Sequence, residues 1–171
     1  MNNNSITGQL GELLLGELLR SRGLLMGTAE SCTGGRIANM ITLVAGSSDY
    51  FVGGIVSYSN EVKRNVLGVS EESLRLHGAV SREVVEQMAL GAIRTLGCNC
   101  SVATSGVAGP GGGTPEKPVG TVWIAAALKD RVVSHCYHFG TVRAENIQSA
   151  ADAALTMLLE LLLSDCCSPE Q

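Results

Sequence analysis

The segment Gly27 to Gly35, GTAESCTGG, constrains this chain most, because it sets a serine and a glycine pair where an apolar run gives way to helical periodicity. Leu24, Leu25 and Met26 lead into it, and Ile37, Met40, Ile41 and Val44 recur beyond it at the spacing of one helix face. A strand that turns into a helix here predicts a helix starting near Thr33, with unpaired amide N–H groups and the positive end of its dipole directed back at Ser31. Gly34 and Gly35 would let a ligand atom come close to that backbone. Two chemical uses fit: stabilising an oxyanion formed at Ser31, or holding a phosphate. A plain helix cap by Ser31 or Thr33, with the glycines serving packing, fits the same residues.

Elements of both types alternate through the rest of the chain. Leu10, Leu13, Leu14, Leu18 and Leu19 share one face of an opening helix that ends at Ser21 to Gly23, and Leu24 to Ala29 reads as a short buried strand. After the turn-like Ala45 to Asp49, Phe51 to Tyr58 returns to β character, with Gly53-Gly54 marking a bulge or a close approach. Short helices follow from Asn60 and from Ser70, and Ser81 caps a clearer one whose apolar face is Val84, Val85, Met88, Ala92, Ile93 and Leu96, closed by Gly97. Cys100 to Ser105 is a strand feeding the loop GVAGPGGGTPEKPVG. Thr121 to Leu128 and Val132 to Phe139 form a hairpin around Lys129-Asp130, and a last helix runs from about Ala144. The expected fold is α/β: one domain over residues 1–171, a three-layer α/β/α sandwich with a mixed sheet.

At 171 residues the chain is long enough to bury a core without staples, and 45% hydrophobic against 16% charged residues excludes general disorder. A net charge of −4 with no basic cluster lacks the footprint of a nucleic-acid binder. The apolar run Ala153 to Leu163 is too short to span a bilayer, and the N-terminal MNNNSITGQLGE has no signal-peptide pattern, so the expectation is a cytoplasmic protein without membrane contact. Cys32, Cys98, Cys100, Cys136, Cys166 and Cys167 show no C-x-x-C pair and read as small hydrophobes rather than metal ligands. His135 and His138 fall on opposite faces of one strand, and with His77 they make no metal set. The leucine-rich terminal helices predict a homo-oligomer.

Three further groups are candidates for chemistry. Lys63, in YSNEVK, follows a strand at a Gly-rich polar junction; a desolvated lysine loses its proton near neutral pH and can serve as base to a serine, with Tyr58 as relay. An ordinary solvated lysine fits the same residues. The loop from Ser105 to Gly120 is rich enough in glycine to lie against a ligand, yet it lacks the Walker A spacing. Arg143, at the start of the last helix, could meet a phosphate or carboxylate.

AESCTGG, GSSDYFVGGIVSYSNEVK, LGV, HGAVS and SGVAGPGGGTPEKPVGTVW, in this order, closely resemble the CinA C-terminal domain family, over most of the chain from about Gly27. The resemblance implies a compact α/β fold and a nicotinamide-nucleotide amidohydrolase, which converts nicotinamide mononucleotide and water to nicotinate mononucleotide and ammonia with no metal or other cofactor. Longer members carry an additional N-terminal domain, and this chain looks like the stand-alone form. The family pattern places Ser31, Ser48, Tyr58 and Lys63 at the reaction centre. It implies Glu30, Thr33, Gly34 and Gly35 beside the substrate, with Ser105, Gly106, Ala108, Gly109 and Arg143 opposite. Ser31 is the favoured nucleophile and Ser48 the alternative, in which case the Thr33-Gly34-Gly35 corner would bind the nucleotide phosphate. The family's Gly-Asp-Arg run before the last helix is here Gly140-Thr141-Val142-Arg143, and the later basic residue is Gln148. That departure implies a second expectation, a weak or inactive paralogue that binds a nucleotide-like ligand. A role as a competence- or damage-associated accessory protein draws no support from the acidic composition.

Overall fold

The computed structural model describes residues 3–165, with side chains from Leu10 onward. Five strands form one sheet in the order β2-β1-β3-β4-β5. These are β1 (Met26–Glu30), β2 (Phe51–Val56), β3 (Cys100–Gly106), β4 (Thr121–Leu128) and β5 (Arg131–His138). β1 pairs in parallel with β2 and β3, while the β3–β4 and β4–β5 pairs are antiparallel, so the sheet is mixed as expected. Helices α1 (Asn3–Ser21), α2 (Arg36–Thr42) and α6 (Arg143–Asp165) cover one face; α3 (Asn60–Leu67), α4 (Glu71–His77) and α5 (Arg82–Leu96) lie on the other. Every residue of β1 is buried, whereas the edge strand β2 alternates, which agrees with the reading of Leu24 to Ala29 as a buried strand.

Most elements follow the sequence reading. Ser59, Ser70 and Ser81 accept from Val62, Ser73 and Val84 amides as N-caps of α3, α4 and α5, and Gly68 and Gly97 close α3 and α5 in left-handed conformation. The hairpin turns at Lys129-Asp130, and β2 carries an irregular register beside Gly53. A Cβ on Gly54 would collide with Thr28 Oγ1 of β1, so the expected close approach is also present.

Two expectations are corrected. The helix after β1 starts at Arg36, not near Thr33; Ser31 to Gly35 form a turn that delays it. The apolar C-terminal run is part of a 23-residue helix, long and apolar enough by composition to cross a bilayer. Its Ala150, Ala151, Ala154, Leu155, Leu158, Leu161 and Leu162 instead pack into the core, as a central helix of a layered domain does. Leu10, Leu13 and Leu14 of α1 remain exposed. Cys32, Cys98, Cys100 and Cys136 are free thiols, the first three buried, while Cys166 and Cys167 lie outside the described residues.

One contact fixes the helix that carries Lys63. Gly91 of α5 touches the end of α3 so closely that a Cβ there would overlap the Leu67 carbonyl. Thr95 Oγ1 donates to Val66 O at 2.8 Å beside it. Alanine adds about 1 kcal/mol of helix propensity but forces a backbone carbonyl to move, at a cost of roughly 1–3 kcal/mol. Gly91→Ala is therefore expected to lower the urea midpoint and reduce any activity that needs Lys63 in place. An unchanged midpoint would show that α3 yields at no cost.

Candidate active site

Three chain segments meet at the carboxyl edge of the parallel strands. Ser31 follows β1, and its amide donates to Thr104 O of β3 at 3.0 Å, which continues the sheet by one residue. Ser57 follows β2, with its amide donating to Glu30 O at 2.8 Å. Lys63 comes from α3, the helix that Ser59 starts just past β2, and it reaches back under both. Its Nζ lies 2.9 Å from Ser31 Oγ and donates to Ser57 O at 2.7 Å. Lys63 is 1% exposed and has no carboxylate partner among its hydrogen bonds. Burial therefore lowers its pKa from the ordinary lysine value, against a smaller opposing effect of the Cys32 thiol. An amine that gives up its proton easily can also accept one from a hydroxyl, so the contact can run in reverse, from Ser31 Oγ–H to the nitrogen.

A cavity of about 210 Å³ opens over this pair. Its lining comprises Ser31, Cys32 and Lys63, then Ser105, Gly106 and Ala108, an apolar wall of Ala79 and Val80, and Tyr58, Asn60 and Arg143. Tyr58 is 65% exposed, and its hydroxyl is 3.4 Å from Arg143 Nη2 rather than bonded to Lys63. Arg143 Nη1 donates to Gly109 O at 2.7 Å, and Asn146 Nδ2 donates to Ala108 O at 3.0 Å, so the first turn of α6 holds the 108–109 backbone. Ser105 Oγ donates to Ala79 O at 2.7 Å.

Glu30, Thr33, Gly34 and Gly35 take a different place from the one expected. Glu30 is 1% exposed and turns away from the cavity into the head of α2. Its Oε2 accepts from the amides of Gly35 (2.9 Å) and Ile37 (3.1 Å) and from Thr33 Oγ1 (2.7 Å), and its Oε1 accepts from the Ala38 amide at 2.9 Å. Gly34 N donates to Ser31 O, and Arg36 N to Thr33 O. The amides that were to receive an oxyanion or phosphate are thus already engaged by a carboxylate of the chain itself. Gly34 and Gly35 sit at φ +61 and +99, so their glycines serve the left-handed turn rather than a ligand.

Ser48 is corrected outright. It is exposed on the short 3-10 turn Ser47–Asp49 that precedes β2, while Ser57 and Lys63 lie past the other end. Six residues of strand separate them by about 20 Å. Within the chain Ser48 cannot be activated by Lys63.

Asn60, Ala79, Val80 and Asn146 were not anticipated. The first three sit inside SYSNEV and HGAVS, so the motifs carried the signal although the individual residues did not. Cys32, on the cavity wall, has its thiol pKa pushed up by burial to about 11, which keeps it protonated and inert. Iodoacetamide at neutral pH should leave Cys32 unmodified in the folded protein and label it after denaturation, as read by peptide mapping; rapid native labelling would contradict this. No group of three metal-ligating side chains occurs among the described residues.

Comparisons with known proteins bear on the family and the fold. The CinA C-terminal domain family model matches residues 10–162. A CinA-like protein of Chloroherpeton thalassium is 49% identical over 152 residues, covering 86% of this chain and 36% of that protein. The chain thus spans about a third of the length of such CinA-like relatives. A nicotinamide-nucleotide amidohydrolase PncC of Enterobacter agglomerans is 47% identical, covering 86% of this chain and 92% of that protein. Among solved structures, the competence/damage inducible protein CihA of Agrobacterium tumefaciens superposes with a TM-score of 0.84 at 43% identity, covering 88% of this chain and 94% of the other. A CinA superfamily protein of Klebsiella pneumoniae gives 0.88 at 34% identity, covering 92% and 98%. With the α/β sheet, the motif series and these matches in agreement, the chain belongs to the CinA C-terminal domain family.

Proposed function

We propose that this chain is an amidohydrolase that removes the amide nitrogen of nicotinamide mononucleotide, with Ser31 as nucleophile and Lys63 as its base. The observation that carries the reading is the buried 2.9 Å contact between Lys63 Nζ and Ser31 Oγ at the floor of a cavity. The relative named for this activity, matched along nearly its whole length, supports the substrate.

Neutral Lys63 takes the Ser31 hydroxyl proton as Oγ attacks the carboxamide carbon. The tetrahedral adduct collapses with cleavage of the C–N bond, and Lys63 delivers the proton to the departing nitrogen, which leaves as ammonia. Water, giving a proton to Lys63, then attacks the acyl-Ser31 ester; the C–Oγ bond breaks as Lys63 returns that proton to Ser31 Oγ, which releases the acid as its carboxylate and leaves Lys63 neutral. The cavity is smaller than the roughly 300–1,000 Å³ of sites that engulf a drug-sized ligand. It therefore suits the pyridine ring alone, with ribose and phosphate directed outward to Asn60, Tyr58 and Arg143.

Incubation with nicotinamide mononucleotide is expected to yield equal amounts of ammonia and nicotinate mononucleotide, lost in Ser31→Ala. Turnover no greater than that of Ser31→Ala would remove the proposal. One observation favours a second reading: Arg143 already donates to Gly109 O and approaches Tyr58. A guanidinium so engaged has fewer donors for a phosphate, which loosens the hold on a mononucleotide and fits a paralogue that binds a nucleotide-like ligand and turns this one over weakly or not at all. Calorimetric binding with no ammonia release would select that reading.

A further inference from the structure

Ala79 and Val80, the apolar wall of the cavity, belong to the irregular segment between α4 and α5. Side chains hold this segment by its carbonyls. Ser105 Oγ donates to Ala79 O at 2.7 Å, Ser81 Oγ to Gly78 O at 2.8 Å, and Lys117 Nζ, from the long loop after β3, to His77 O at 2.8 Å. Ser81 acts within the segment, and Lys117 is a partly solvated cation. Among the described residues, the Ser105 bond alone ties the wall to the sheet from a buried side chain: Ser105 is 1% exposed, and the Ala79 carbonyl it holds is part-buried. A hydroxyl anchored in this way holds its partner more firmly than an exposed one, because it has no water to turn to instead.

Ser105 also lines the cavity, and a hydroxyl there reads at first as a substrate contact. Its proton is committed to Ala79 O, and its hydrogen bonds include neither Ser31 nor Lys63. The distance from the Ser31–Lys63 side to Val80 is therefore set by how tightly Ala79 O is drawn onto β3.

We infer that Ser105 is a positioning residue that sets the width of the substrate cavity through the Ala79–Val80 wall, and so determines which flat ring fits beside Ser31. The ring selection rests on the amidohydrolase reading, whereas the tether rests on the hydrogen bond alone. In Ser105→Ala the wall loosens, and the loss falls on substrate binding ahead of the chemical step.

The experiment joins kinetics to hydrogen exchange on the full chain. Ser105→Ala should raise KM for nicotinamide mononucleotide about tenfold, the net worth of one hydrogen bond, with a much smaller change in kcat. Ser105→Thr, which keeps the hydroxyl, should bring KM back toward wild type. Independently, peptides covering residues 77–82 should exchange faster in Ser105→Ala and not in Ser105→Thr. Unchanged exchange overturns the tether. Faster exchange with unchanged KM overturns the control of width, and a fall in kcat with KM unchanged makes Ser105 a catalytic residue instead. If the wild-type chain neither binds nor turns over the nucleotide, the amidohydrolase reading fails and ring selection falls with it, while the exchange data still decide the tether.

Discussion

Lys63→Met is expected to lose at least about a thousandfold of amidase turnover while the fold stays within about 1 kcal/mol of wild-type stability. The activity loss follows from removing the one group among the described residues that is bonded to Ser31 Oγ and can take its proton; loss of a positioned base costs about 10²–10⁴-fold, and more where nucleophile and base act as a unit. Stability behaves differently because two effects oppose. The variant forfeits the hydrogen bond to Ser57 O but also removes an amine that is buried without a countercharge, and a methionine of similar length fills the space. The pH dependence separates the variants further. With its pKa lowered by burial, Lys63 is already neutral in the native protein at pH values where the unfolded chain still holds the proton. The unfolded state thus binds more protons from that lowered pKa up to the ordinary 10.5, and stability rises with pH across that window. Turnover should rise with pH through the lowered pKa as the amine becomes free. Lys63→Met should lack the stability increment. Wild-type turnover in Lys63→Met would exclude the serine–lysine chemistry.

Glu30→Ala should have the opposite profile, a loss of about 3–5 kcal/mol in stability, read as a drop in urea midpoint. Three amides at the head of α2 would lose their acceptor together, as would Thr33 Oγ1. Each buried donor left without a partner costs about 1–3 kcal/mol, and the total reaches the upper tail of single-substitution effects. Glu30→Gln keeps the shape and one acceptor oxygen but turns an N–H₂ toward amide donors, so it should fall between the two. Because Ser31 follows Glu30 directly and its carbonyl closes the turn to Gly34, activity should decline with stability. A Glu30→Ala midpoint within about 1 kcal/mol of wild type would mean that water serves these amides as well as the carboxylate does.

These two residues also mark where sequence reasoning succeeds and stops. Local rules are enough for α5, which has a serine cap, an apolar face at helical spacing and a glycine stop, and for the β4–β5 hairpin. They place Lys63 at the start of a helix after a strand, and that alone brings it near the turn after β1 once β1 and β2 pair in parallel. Glu30 defeats them because it caps α2 from the last position of β1, reaching over a turn to amides five, seven and eight residues on. Capping patterns look for a short polar side chain directly before the helix, and here Gly35 occupies that position with no side-chain bond. Ser48, which the family resemblance implies, fails for a topological reason: the strand between it and Lys63 carries the chain from one end of the sheet to the other. The bond from Ser105 to Ala79 spans 26 residues and has no periodic signature at all.

Bond-making and shape selection come from different parts of this molecule. The serine and its amine come from the turn after β1 and from α3, beside the parallel half of the sheet, while much of the surface around them comes from two stretches outside regular structure, 78–81 and 107–120. Loops accept insertions and exchanges that strands reject. Replacing either stretch can redirect the same reacting pair toward a different amide without rebuilding the frame beneath it, so a family of hydrolases with divergent substrates is within reach of this one scaffold.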